Sequence, residues 1–307
     1  MLFASAASWA WIPIALTGAA LQTARNAAQR SLVSEVGTLG ATLVRFLYGI
    51  PFAALWLWAV IAQSPPGTGH GWPGWNAPYW AWLAFGALAQ ILATAFLLLA
   101  MKERNFVFGT AMARTEVLQA ALFGMVFLGD VPSGIVLGAV LCATLGVFLL
   151  AMPTAAANSA WLGRASLAGL AAGASFALAS VGYRGAGLAL PGISPWLVGA
   201  WGVLLAQCLQ TLWLGGWIAW RDVQTLRRIL RAWRISTLAG AMGAAASICW
   251  FTAFALRPVA DVKTLGMIEV VFSYAVSRKL FDEALSRREK IGLLLLTLGL
   301  AVICTQL

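Results

Sequence analysis

The sequence is short of charge. Only 20 Lys and Arg and 10 Asp and Glu stand among 307 residues, 10% of the chain against about 25% in soluble globular proteins. So small a charged set cannot cover the surface of a soluble fold of this length. A bilayer removes that requirement, because lipid-facing positions need none. Histidine is almost missing: His70 stands alone, leaving no material for His-based metal sites or Ser-His-Asp catalysis. Cys142, Cys208, Cys249 and Cys304 lie inside apolar segments without ligand-type spacing and read as buried small hydrophobes. No G-x-x-x-x-G-K-[ST] loop occurs, so ATP-driven pumping by this chain alone is not expected. No cleavable leader is expected either, since residues 1–8 lack a basic stretch and the apolar run after them continues too far. No catalytic group, metal or cofactor is assigned.

What is abundant is apolar sequence, 61% of the chain, with 16 Trp suited to the headgroup interface. A spanning helix needs about 20 mostly apolar residues. Ten such runs are expected: Trp9–Ser31, Thr38–Ile61, Trp80–Met101, Phe106–Leu128, Ser133–Met152, Ser166–Leu188, Pro195–Trp217, Ile235–Leu256, Asp261–Leu280 and Ile291–Gln306. The breaks carry loop chemistry, as in Ser64-Pro65-Pro66-Gly67, Gly129-Asp130-Val131-Pro132 and Arg257-Pro258. The net charge of +10 is spread over short basic runs between these segments. They read as topology signals and lipid-headgroup contacts, not as a nucleic-acid surface.

The chain also repeats. Adding 153 to Glu116, Gly129-Asp130 and Thr144-Leu145-Gly146 gives Glu269, Asp282-Glu283 and Thr297-Leu298-Gly299. Five spans per half is an odd number, which forces the halves into opposite orientations. The expected architecture is an all-α integral membrane protein of ten transmembrane helices. Two inverted five-helix repeats, residues 1–152 and 165–307 joined by a linker at 153–164, surround a central cavity. A duplicated chain already holds both halves, so a monomer is expected.

Phe106 to Met152 and Pro258 to Leu307 resemble the EamA-type repeats of the drug/metabolite transporter superfamily. Carrying features are Arg45 in Leu43-Val44-Arg45-Phe46-Leu47, Glu116, Glu269, the two acidic helix ends and the Gly-rich last helix of each half. The resemblance implies a central cavity and export or exchange of small metabolites. The family's proline after the mid-helix Glu is replaced by Val117 and Val270, which implies straighter helices there.

Basic residues in loops after odd-numbered spans outnumber those after even-numbered spans by fourteen to three. That asymmetry puts both termini outside a cell inner membrane, although the resemblance points to an inside N-terminus. The stretch Arg221 to Arg234 reads as a short basic amphipathic helix on the cytoplasmic surface.

Ionisable groups at membrane depth are costly and mark function. Gln22, Arg25, Asn26 and Gln29 recur at helical spacing and make one polar stripe, facing a cavity or gluing helices together. Arg45, with Tyr48 at i+3 and a kink expected at Gly49-Ile50-Pro51, grips a substrate carboxylate or phosphate, or forms an ion pair with Glu116 or Glu269. Glu116 and Glu269, each read as mid-helix, carry a coupling proton, or pair with Arg114, Arg45 or Lys263 and organise the core. Gln119 and Ser273 extend the two polar patches, and Trp250, Tyr274 and Gln207 are candidate linings. Close-spaced Gly169, Ala172, Gly173 and Gly240, Gly243, Ala244 suggest tight helix crossings.

The expected function is secondary active transport, not catalysis, of a small polar metabolite by alternating access, with protons as candidate coupling ions. Mixed core charge favours an amino acid or related zwitterion. An organic-anion or phosphate-ester exchanger of the same fold is the alternative, ahead of a channel or a lipid enzyme.

Overall fold

The computed structural model describes residues 9–64, 73–103, 112–151, 163–272 and 287–305. Most of these residues are helical, and none of them lies in a strand. The helices are α1 Trp11–Leu47, α2 Ile50–Ala62, α3 Ala77–Glu103, α4 Glu116–Leu128, α5 Gly134–Ala151, α6 Arg164–Leu188, α7 Pro195–Gln210, α8 Gly216–Arg221, α9 Val223–Arg231, α10 Trp233–Leu256, α11 Val259–Gly266 and α12 Arg287–Cys304. A π-helical turn, Thr211–Gly215, joins α7 to α8 without a break in direction-giving backbone geometry.

Five stretches are long and apolar enough to cross a membrane: Trp11–Ala62, Ala77–Glu103, Arg164–Leu188, Pro195–Arg221 and Trp233–Leu256. Shorter apolar helices stand at α4, α5 and α12. Large apolar side chains lie bare outside, among them Trp58 at 69%, Val126 at 68% and Leu212 at 68% exposure. Exposure on that scale is stable against lipid and not against water. The chain is an all-helical membrane protein.

Local sequence explains the punctuation. The first stretch runs 52 residues, about 78 Å at 1.5 Å per residue, but Gly37 interrupts it at φ +73° and ψ 172°, a conformation essentially restricted to glycine. The second interruption is at Tyr48–Gly49, followed by Pro51 in the first turn of α2, where its missing N–H costs nothing. α4 ends on Gly129 at φ +69°, with Asp130 N–H donating to the Gly124 carbonyl. α9 starts on Asp222, whose carboxylate accepts from the Thr225 N–H at 3.2 Å and hydroxyl at 2.6 Å. Those bonds, the hydroxyl's first, hold the Asp222 carboxyl below its usual range. The cap therefore persists through mild acid and is lost only as pH falls through that lowered value. α9 is amphipathic: Ile229 is fully buried, while Arg227 and Arg231 are exposed.

The offset of 153 reappears in the packing. The two most extensively packed helix pairs are α3 with α6 and α1 with α10. Shifting by 153 carries α3 onto α10 and α1 onto α6, so each pair is the image of the other. α5 and α12 are themselves images and pack together. A Cβ on Gly146 would meet Gly292 and Leu296, and one on Gly299 would meet Ala139 and Ala143. Those neighbours correspond at the same offset. Rising numbers on one helix meet falling numbers on the other, so α5 and α12 run antiparallel across a local pseudo-twofold axis. Cys142 Sγ, donating to the carbonyl of its image Leu295 at 3.3 Å, sits beside that axis.

One ion pair ties three helix ends together. Arg184 of α6 pairs with Asp130, just past α4, at 2.5 Å, and donates to the carbonyls of Phe254 at 2.8 Å and Arg257 at 2.9 Å, at the end of α10. Hydrogen bonds to charged groups contribute about 1.5–3 kcal/mol each. Arg184→Met is therefore expected to lower the thermal unfolding midpoint clearly, and Asp130→Asn by less, because the carbonyl contacts survive it. Equal midpoints for Arg184→Met and wild type would show that the pair holds nothing.

Candidate functional site

The polar residues singled out in the sequence converge on one buried chain of contacts. It begins at two helix breaks. Glu116 is the first residue of α4, after a turn at Arg114–Thr115. Glu269 is the second residue of a helical segment that starts at 268, after a turn at Met267. Both glutamates were expected mid-helix in straight helices, and the structure corrects this. Val117 N–H donates to the Arg114 carbonyl at 3.2 Å and Val270 N–H to the Met267 carbonyl at 2.9 Å, the same turn at an offset of 153. Thr115 helps open the first break: its hydroxyl donates to the Met112 carbonyl at 3.0 Å, a local bond that competes with the helix ladder. A carboxylate at the start of a helix also meets the positive end of the helix dipole.

Arg114 lies between the two glutamates. One guanidinium nitrogen is 3.2 Å from Glu116 and another 2.5 Å from Glu269. Lys263 of α11 approaches the other Glu116 oxygen at 3.5 Å, inside a cage of Trp250, Phe254 and Phe176 rings at 5.1, 5.6 and 5.9 Å. Glu269 also accepts from Gln22 at 2.8 Å and Asn26 at 3.1 Å, and Trp250 donates its indole N–H to Gln22 at 2.9 Å. All of these residues are less than a tenth exposed.

The chain continues through Asn26, whose side-chain oxygen accepts from Arg25 Nη2 at 2.6 Å and Nε at 3.2 Å. The stems of Arg25 and Arg45 pack over the same small residue: a Cβ on Gly243 would lie 3.1 Å from Arg45 Cγ and 3.3 Å from Arg25 Cδ. Arg45 donates to the hydroxyls of Thr94 at 3.0 Å and Ser247 at 3.4 Å. Among the described residues neither Arg25 nor Arg45 forms a salt bridge. Each has only neutral partners and leaves a buried nitrogen unpaired, Arg25 Nη1 and Arg45 Nε. A cation at bilayer depth costs about 2.5–3.5 kcal/mol on insertion scales, so two without carboxylates are an expense the sequence does not incur for packing alone.

Arg45 borders a small cavity with Gln90, Tyr183, Gln207, Gln210, Ser247 and Phe251. Gln207 is 3% exposed, and neither its amide nitrogen nor its oxygen has a partner; the Gln90 nitrogen lacks one too. Gln210 donates to the Tyr183 hydroxyl at 3.0 Å, and the Tyr183 and Phe251 rings lie 4.0 Å apart.

Of the other expected positions, Tyr48, Gln119 and Gln29 fall elsewhere. The Tyr48 hydroxyl reaches the Ile229 carbonyl of α9 at 3.4 Å instead of joining Arg45. Gln119 is half-buried and donates to the Thr115 hydroxyl at 3.2 Å, supporting the break and not the charges. Ser273 and Tyr274 lie outside the described residues. Gln29 donates to the Ala41 carbonyl at 2.8 Å, bracing the turn at Gly37. Gln90, Thr94, Tyr183, Gln210 and Ser247 were not singled out in the sequence. The amides among them offered a signal, being polar residues in the middle of apolar runs.

No family model matches the chain, and no curated protein matches it. Solved structures do. One crystal structure of a protein superposes with a TM-score of 0.63 at 18% identity, over 95% of this chain and 94% of that chain. At that identity the likeness speaks to the fold alone, and it spans nearly the whole length of both proteins.

Proposed function

We propose that the chain is a secondary transporter of a small polar metabolite, working by alternating access between two inverted five-helix halves. In this reading residues 1–152 and 165–307 are EamA-like repeats joined by 153–164, spanning a cell inner membrane ten times with both termini outside. The break at Gly37 supports two passes in the first 52-residue stretch. The antiparallel pairing of α5 with its image α12 supports opposite orientation of the halves.

One observation carries the reading. Arg114 of the first half bridges Glu116 of its own half and Glu269 of the other, at two matched helix breaks. Broken helices facing each other at the junction of inverted halves are where transporters of this architecture bind cargo and ions. Rocking the halves apart requires Glu269 to leave Arg114, which makes that pair a latch whose release binding or protonation has to compensate.

The test is counterflow in proteoliposomes with labelled amino acids, organic anions and organic cations, comparing wild type with Glu116→Gln and Glu269→Gln. Saturable counterflow is expected in wild type, with Glu269→Gln reduced at least tenfold. Wild-type transport matched by both variants across pH would make the glutamates scaffolding. Absence of saturable counterflow with every compound would remove the transporter reading.

A further inference from the structure

The charged chain is unbalanced. Four cations, Arg25, Arg45, Arg114 and Lys263, face two carboxylates, Glu116 and Glu269, all nine-tenths or more buried. Both carboxylates are engaged: Glu116 by Arg114 and Lys263, Glu269 by Arg114, Gln22 and Asn26. The excess charge sits on Arg25 and Arg45. Among the acids whose side chains are described, the others are elsewhere: Asp130 pairs with Arg184, Asp261 with Arg257 and Asp222 with Arg228, while Glu35 and Glu103 are exposed.

Arg114 Nε apart, the unfilled hydrogen bonds of the buried chain lie at the same end. Arg45 Nε, the Gln90 nitrogen and the Gln207 nitrogen are buried donors without acceptors, against one buried acceptor without a donor, Gln207 Oε1. A pocket of excess donors beside excess positive charge selects an acceptor-rich, negative ligand. A zwitterion needs a free carboxylate for its ammonium group, and both carboxylates in the chain are already engaged.

We propose that the transported substrate is a small organic anion. Its carboxylate or phosphoryl head seats against Arg45, Gln90 and Gln207, and Arg25 supplies the second positive charge. Arg45 takes the head group through its Nε–H, the donor that its Thr94 and Ser247 contacts leave free. The Tyr183 and Phe251 rings wall one side and keep the pocket dry. In this conformation the cavity is about 10 Å³, room on the order of one water, so it is contracted and the ligand enters as the halves part. Binding also reaches the latch, because Arg25 connects through Asn26 to Glu269. An anion drawing Arg25 away frees the Asn26 amide that helps hold Glu269 on Arg114. The inference rests on the transporter reading for its biological meaning and on the charge count for its chemistry.

The test uses the full-length protein with four probes: succinate, sn-glycerol 3-phosphate, alanine and choline. Thermal unfolding in detergent reads binding, and proteoliposome counterflow reads transport. At least one anion is expected to raise the unfolding midpoint saturably. Apparent affinity should fall at least tenfold in Arg45→Gln, with partial recovery in Arg45→Lys. Should Arg45→Gln fail to fold, Gln207→Leu carries the same expectation. Arg25→Gln is expected to weaken succinate and sn-glycerol 3-phosphate as well, because it removes one of two excess charges. Failure of both anions to bind wild type, or equal anion affinity in wild type and the folded pocket variant, overturns the proposal. So does alanine or choline binding in preference to the anions. Anions that bind in an Arg45-dependent way but show no counterflow would uphold the site and sink the transporter reading instead.

Discussion

Glu269→Ala should destabilise the protein more than any other single side-chain truncation in the buried chain, by about 3–5 kcal/mol. The magnitude follows from what is left behind. Glu269 holds Arg114 at 2.5 Å, Gln22 at 2.8 Å and Asn26 at 3.1 Å, and it is 1% exposed. Removing the carboxylate takes the shorter of Arg114's two ion pairs, leaving it only Glu116 at 3.2 Å, which Lys263 also approaches, and strands two amide donors in a place water does not reach. Glu116→Ala is expected to cost less, since its contacts are longer, 3.2 Å to Arg114 and 3.5 Å to Lys263, and Arg114 keeps Glu269. Thermal unfolding in detergent should rank wild type above Glu116→Ala above Glu269→Ala, the last lower than wild type by on the order of 10 °C.

Additivity separates an ion latch from ordinary packing. If the cost of Glu269→Ala is mostly the guanidinium left with one of its two carboxylates, Arg114→Met in the same chain removes it and recovers part of the loss. A double variant no more stable than Glu269→Ala would place the cost in Gln22 and Asn26. The inverse order, with Glu116 the more damaging site, would mean that Lys263 and its aromatic cage anchor the chain.

Most of the membrane character was legible in the sequence because it is a matter of composition over long windows. The expected run Pro195–Trp217 corresponds to α7 and its continuation, and Ile235–Leu256 to α10, Trp233–Leu256. The offset of 153 was legible from Glu116, Gly129 and Thr144, and it returned in packing and turns those residues do not make. What was not legible was backbone direction over single residues. Ser31 to Thr38 reads as a polar break, yet the helix continues to Val36 and turns only at Gly37. Val117 and Val270 gave no reason to expect breaks, since proline is the break that sequence displays. Here the turns arise from the tertiary demand that Arg114 reach both carboxylates, with Thr115 bonding locally.

The same limit explains the site. Charged residues in apolar runs announce themselves, and Arg25, Arg45, Arg114, Glu116, Lys263 and Glu269 were all singled out. Which of them pair depends on rotation of one helix against another, a few tens of degrees that no spacing encodes across separate segments. The pocket amides are quieter still. Gln90 and Gln210 carry no charge, and a lone glutamine in an apolar helix reads equally as interhelical glue. Only the unpaired Gln207 amide and Arg45 Nε in three dimensions distinguish a binding wall from glue.

Gly146→Ala and Gly299→Ala should each destabilise the protein, and by similar amounts, because they are the same position on two sides of one axis. An alanine in a helix interior is favoured over glycine by about 1 kcal/mol, so the sign depends on the room available. On Gly146 the added Cβ would lie 2.6 Å from both the Gly292 oxygen and the Leu296 nitrogen. On Gly299 it would lie 2.7 Å from the Ala139 oxygen and 2.9 Å from the Ala143 nitrogen. All four are backbone atoms that no side-chain rotation can clear, so α5 and α12 have to separate. Overpacking of this kind costs about 1–3 kcal/mol, and a backbone collision belongs at the upper end, which outweighs the propensity gain. The double variant should cost less than the two singles together, because the separation forced by one alanine already makes space for the other. Gly138→Ala in the same helix is the control: nothing lies within 4 Å of its added Cβ, so propensity alone acts and the midpoint should hold or rise. Thermal unfolding of the four variants reads all of this. A tolerated Gly299→Ala beside a damaging Gly146→Ala would break the equivalence of the two helices, and with it the local pseudo-twofold axis that supports the proposed inversion of the halves.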